Sequence, residues 1–98
     1  MVTHALYVPL HAKPDKAEEL QAFLREAQIL AEQETGTAAW FALRLDDTHF
    51  AIFDAFPDEA SRQAHVDGEI AKQLMAHTDD LLADPPQLHE FDVVASKL

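Results

Sequence analysis

Two polar residues stand where the surrounding side chains are apolar. Asp54 interrupts the strand-like run His49-Phe50-Ala51-Ile52-Phe53-Asp54-Ala55-Phe56, and His65 follows on the helix-like segment that begins after Pro57-Asp58-Glu59. Asp54 shares the parity of Phe50 and Ile52, so it points to the same apolar face or to its margin. A carboxylate in such a place has a raised pKa unless it is paired, which is one way a general base is tuned. The structural alternative is that it caps the next helix or pairs with Arg62. His65, flanked by Arg62, Ala64 and Val66, falls at the edge of the same space. An imidazole there could take a phenolic or enolic proton near neutral pH. It could equally be a histidine bonded to a backbone carbonyl that locks the bend at Gly68.

Further candidates surround this pair. Trp40 and Tyr7 could supply flat walls and a phenolic hydrogen bond for an aromatic ligand, or simply be core or interface residues. Arg62 could anchor a polar substrate, and His77, on the line of Ile70, Leu74 and Leu81, is a second helix-face candidate or a satisfied histidine. His4, His11, His49 and His89 form no recognisable ligand set, since His4 and His11 have opposite strand parity, so no metal site is expected. With only Gly36 and Gly68 in the chain there is no glycine-rich cradle for a nucleotide or flavin phosphate, and no cofactor is expected.

The elements that must position these residues follow from periodicity. Residues 5–11 alternate as a strand containing Pro9, which should cost a ladder bond or mark a bulge. Asp15, with Glu18 three residues on, predicts the N-cap of a helix whose face is Leu20, Phe23, Leu24, Ala27, Leu30 and Ala31 and which ends near Glu34 and Gly36. Residues 37–45 and 49–56 predict an antiparallel hairpin closed by Asp46-Asp47-Thr48. Asp58 caps a second helix through Val66 that Gly68 interrupts and that resumes until Asp84-Pro85-Pro86. Residues 88–95 predict a last strand. This βαββαβ order is that of a ferredoxin-like α+β plait with an antiparallel sheet, in a single domain over residues 1–98.

Composition narrows the function. Seven basic against eighteen acidic residues give a net charge of -11, which disfavours nucleic acid and anionic membranes as partners. The absence of cysteine removes thiol chemistry and fits a reducing compartment. No apolar run reaches the roughly 18 residues of a membrane span, and the first residues lack a secretory pattern, so a cytoplasmic protein is expected. Pairing Leu45 opposite Thr48 or Phe50 would put Phe41, Leu43, Leu45, Phe50 and Ile52 on one sheet face and Trp40, Ala42, Ala51, Phe53 and Ala55 on the other. Both faces are apolar and two helices cover only one, so a homodimer with facing sheets is expected. The alternative is a monomer in which loops and the C-terminal tail cover the second face.

Glu34-Thr35-Gly36 leading to Trp40, the run Phe53-Asp54-Ala55-Phe56-Pro57-Asp58-Glu59, the segment Arg62-Gln63-Ala64-His65 and the closing strand after Pro85-Pro86 together resemble the antibiotic biosynthesis monooxygenase superfamily. The resemblance covers nearly the whole chain. It implies a dimeric α/β barrel of two ferredoxin-like protomers, each with a small pocket between sheet and helices. Members include cofactor-independent oxygenases of anthrones and quinols, haem-degrading enzymes and an isomerase of a phosphorylated sugar, so fold alone leaves the reaction open. The haem-degrading branch uses an asparagine on the first strand and a tryptophan and histidine on the second helix. Here Tyr7 and Val8 hold that strand, asparagine is absent and the only tryptophan is Trp40, so haem degradation is not implied. The resemblance implies a cofactor-free monooxygenase of a small quinol- or anthrone-like aromatic. His65 would be its base or phenolate partner, Asp54 would assist, and Trp40 and Tyr7 would line the pocket. A non-catalytic ligand-binding or structural homodimer, and an isomerase of a small carbonyl compound, are the rival functions.

Overall fold

Alternation of large apolar residues with exposed ones makes β1 (His4–His11) the centre of the molecule. It pairs antiparallel with all of β3 (His49–Phe56) on one side and, over His4–Tyr7, with β4 (His89–Asp92) on the other. With β2 (Ala39–Arg44) the four-stranded sheet has the order β2-β3-β1-β4. The computed structural model describes residues 1–98.

Pro9 neither costs a ladder bond nor makes a bulge. Odd-numbered residues at both ends of β1 accept from the β4 side, Thr3 from Val93 N–H and His11 from Ala83 N–H, while Ala12 N–H donates to Thr48 on the β3 side. Pro9 therefore turns its missing donor towards the gap beyond the end of β4, where no bond is due.

The helix α1 (Ala17–Gln33) buries the stripe Leu20, Leu24, Ala27 and Ala31 against the sheet. Asp15 is not its cap: Lys16 holds that position without a side-chain bond, and its N–H closes a turn on the carbonyl of Lys13. Asp58 does cap α2 (Glu59–Val66), accepting from Ser61 N–H at 2.7 Å. Beyond Gly68 the chain continues as α3 (Glu69–Ala76) and α4 (Thr78–Leu81). The last strand is shorter than residues 88–95.

The hairpin register differs by one residue from the expected one. The Asp46 carboxylate accepts from the N–H groups of Thr48 and His49, and Leu45 N–H donates to the carbonyl of His49, so Leu45 lies opposite His49. Trp40 and Ala42 consequently share the helix-covered face with Asp54 and Ile52, while Phe41 and Leu43 share the outer face with Phe53 and Ala51. The main core is built from Val8, Leu10, Leu20, Leu24, Phe50 and Ile52 with Leu74, Leu81 and Leu82. The conclusion that both faces are apolar survives the shift: Phe41, Leu43 and Phe91 remain 52%, 44% and 50% exposed on the outer one. This is the ferredoxin-like α+β fold, with its second helical unit broken into three.

Candidate functional site

Asp54 enters the helix-covered face between Leu6 and Trp40, its neighbours across the two strand pairings, and is only 1% exposed. Its Oδ2 lies 2.8 Å from His65 Nε2 on α2. The contact is a short ion pair without hydrogen-bond alignment, and Asp54 Oδ1 has no hydrogen-bond partner at all. The opposite ring nitrogen, Nδ1, is 2.5 Å from Glu34 Oε1, which also accepts from Thr37 Oγ1 at 2.7 Å. Three elements thus supply a carboxylate, an imidazole and a second carboxylate in line.

Local structure explains the convergence. Glu34 ends α1, where its N–H bonds back to Ala31. The following turn comes so close to α2 that a Cβ at Gly36 would sit 2.8 Å from Ser61 Oγ and 2.9 Å from its Cβ. Glycine at that position lets the loop carry Glu34 up to the ring of His65.

The charges answer to this geometry. Burial pushes the Asp54 carboxyl up, opposed by the hydrogen-bonding and charge influence of His65. Burial alone would push the His65 imidazole down. Asp54 first, and then Glu34, outweigh that and raise it above its ordinary 6.5. The ring thus lies between two carboxylates, both of which favour its doubly protonated form.

A cavity of about 250 Å³ opens beside this pair between the sheet and α2–α3. Leu6, Val8 and Ile52 form its floor, Ile70 and Leu74 its roof and Leu88 part of its rim; Asp54 and His65 are the only polar side chains that line it. Two larger hollows, of about 590 and 530 Å³, contain no buried titratable group.

Tyr7, Trp40, Arg62 and His77 do not line the cavity. Tyr7 faces the outer side of the sheet, beside the 530 Å³ hollow, because its strand parity is opposite to that of Leu6 and Val8. Trp40 packs on both core clusters and borders the 590 Å³ groove between α1 and β2. Arg62 does not pair with Asp54: its Nη1 donates to the carbonyls of Ala5 and Phe91, and its Nε lies 3.2 Å from Glu90 Oε2. The carbonyls of β1 and β4 meet the guanidinium before Asp54 can. His77 terminates α3 at the surface with its ring 5.5 Å from that of Phe23.

Glu34 was not singled out by the sequence, although a signal existed. An acidic residue at the carboxyl end of a helix opposes the helix dipole and calls for a local partner. His11 and His49 also meet unexpectedly, as direct neighbours across β1 and β3 with rings stacked at 4.3 Å, each beside an aspartate. No three His, Cys, Asp or Glu side chains assemble into a metal-ligand set.

The same chain path is found in the crystal structure of NE2512, a protein of unknown function from Nitrosomonas europaea. It is 48% identical with a TM-score of 0.98, over 100% of this chain and 95% of that one. The chain belongs to the family of NE2512. More distant structures share the fold. They include PA3566 from Pseudomonas aeruginosa, 21% identical with a TM-score of 0.81 over 97% of each chain. Another, described as an antibiotic biosynthesis monooxygenase, is 19% identical with a TM-score of 0.81 over 94% of this chain and 99% of that one. The chain therefore shares its fold with a protein described as an antibiotic biosynthesis monooxygenase. No family model and no curated protein matches the chain.

Proposed function

We propose that the chain is a cofactor-independent monooxygenase of the antibiotic biosynthesis monooxygenase type, acting on a small quinol- or anthrone-like aromatic in the Asp54–His65 cavity. The observation that carries this reading is a buried carboxylate, with one oxygen lacking any hydrogen bond, that lines a cavity apolar except for itself and His65. Such a group is an avid proton acceptor. A doubly protonated imidazole has no free lone pair to act as a base, so this reading makes Asp54 the base and His65 the cation that steadies both Asp54 and the substrate anion. This inverts the roles suggested by the sequence.

The chemistry needs only dioxygen. Asp54 takes a proton from the substrate, and the resulting carbanion or phenolate passes electrons to oxygen. In the anthrone-like case a ring CH₂ becomes C=O, one oxygen atom stays on carbon, and the other leaves as water with the two hydrogens. The apolar lining excludes bulk water from the reactive anion. A volume of about 250 Å³ is just below the roughly 300–1,000 Å³ of common ligand pockets, which favours a small substrate.

The rival isomerase reading has less support. An isomerase of a polar carbonyl compound calls for a cationic anchor. Arg62 is tied to backbone carbonyls and Arg44 to Glu18, Gln21 and the hairpin loop. The apolar outer sheet face supports assembly as a homodimer. No helix is long and apolar enough to cross a membrane, and a protein without cysteine suits the cytoplasm.

The test is oxygen consumption against a panel of quinols and anthrones. Wild-type protein is expected to exceed the autoxidation background on at least one member of the panel, Asp54→Asn to lose about a hundredfold or more in rate, and His65→Gln to fall as well. Absence of uptake across the panel, or full activity in Asp54→Asn, overturns the reading.

A further inference from the structure

Glu34 lies outside the cavity, yet it makes the shortest contact in the trio. We propose that Glu34 is a positioning residue that keeps His65 doubly protonated beside Asp54, and that it thereby sets the alkaline limit of the site's working range. The proposal rests on the reading of Asp54 as the base.

The geometry leaves His65 few other influences. From β3 it faces Asp54 at Nε2, and from the end of α1 it faces Glu34 at Nδ1. Phe56 presents only its ring, 5.4 Å away, and α3 contributes apolar side chains to the shared cavity. On its own helix Arg62 turns away to the carbonyls of Ala5 and Phe91 and to Glu90, and Asp67 is held by Gln63. A ring bonded by Asp54 alone would share a single mobile proton with it, since a neutral Asp–His pair and an ion pair then differ little in a buried site. The second carboxylate breaks that degeneracy. With Nδ1–H donated to Glu34, the charge of the second carboxylate favours a ring that also keeps its Nε2 proton.

Glu34 can do this because it is the member in contact with water: its side chain is 22% exposed, against 9% for His65 and 1% for Asp54. Thr37 Oγ1–H, bonded to the same Oε1, fixes its direction.

The experiment is nitrogen-15 NMR of the His65 ring across pH in wild type, Glu34→Gln, Glu34→Asp and Asp54→Asn, with circular dichroism to check folding. The wild-type ring is expected to carry both protons well above neutral pH, with a strongly deshielded Nδ1–H. In Glu34→Gln the titration midpoint should fall to lower pH and that proton signal should be lost. Glu34→Asp should restore part of the shift, and Asp54→Asn should keep the Nδ1–H signal. An unchanged midpoint in folded Glu34→Gln overturns the proposal. No substrate is needed, so the result stands apart from the oxygenase reading. If turnover is found, the alkaline limb of kcat/KM should move down together with the His65 midpoint. If the panel is inert while the midpoint moves, the oxygenase reading falls and the assignment of Glu34 remains.

Discussion

At the scale of single residues, the protein's pH dependence divides between two sites of opposite character. His65 has a raised pKa in the fold, so its protonation adds stability that is complete below the ordinary 6.5 and is lost as pH rises through the folded value. Urea unfolding should therefore show a lower midpoint at pH 9 than at pH 6 in wild type, and His65→Gln should flatten that difference. Asp46 behaves in the reverse sense. The Thr48 N–H, then the His49 ring and N–H, bring its carboxyl down from 3.8 to about 2. Its contribution is present above 3.8 and is lost as pH falls towards 2. An Asp46→Asn protein should lose part of the acid sensitivity between pH 4 and pH 2 in the same assay, because the amide no longer titrates. The two aspartates share a side chain and differ in surroundings: Asp46 receives backbone N–H groups at the surface, whereas Asp54 is desolvated in the core.

At the scale of elements, the site depends on contacts between segments that are distant in sequence. The α1–β2 turn touches α2 only because Gly36 lacks a side chain. Gly36→Ala should cost about 1–3 kcal/mol in urea unfolding through overpacking against Ser61. Part of that cost should be recovered in the Gly36→Ala, Ser61→Gly double variant, since the two positions share one contact. Arg62 has a comparable role at the other edge. The strand β4 has four residues and one neighbour, and the buried guanidinium bonds to its Phe91 carbonyl. Replacing it with alanine leaves the carbonyls of Ala5 and Phe91 without that donor, so amide exchange at Val93 should quicken more than at Ala12, and stability should fall by about 1–3 kcal/mol. Elements were legible in the sequence where local rules govern them. The apolar stripe of α1, the Asp58 cap and the interruption at Gly68 all follow from spacing alone. Asp15 looked like a cap, but Lys16 took that position after a tight turn, and the hairpin register turned on how Asp46 bonds the loop.

At the scale of the whole molecule, the outer sheet face remains the unbalanced feature. Phe41, Leu43 and Phe91 stay about half exposed around Phe53, with the small Ala51 and Ala55 sunk between them. A face of this kind is normally covered in a soluble protein. Light scattering at micromolar concentration should give about twice the chain mass of 11.0 kDa, and Leu43→Asp should shift the protein to monomer while leaving the helix-side cavity folded. A wild-type monomer would show that the exposed face is tolerated uncovered.

The sequence by itself determined the order of elements, the antiparallel hairpin, the apolarity of both sheet faces and the placing of Asp54 among apolar residues. Each of these depends on alternation, helical spacing or a cap, which are properties of a few neighbouring residues. Only the tertiary structure decided that Glu34 reaches His65 from 31 residues away, that Arg62 is consumed by backbone carbonyls, and that Tyr7, Trp40 and His77 lie outside the cavity. Those outcomes depend on strand register and on how closely two helices and a turn can pack. A shift of one residue, or a single missing Cβ, changes which side chains meet without altering the periodic pattern that local reading detects.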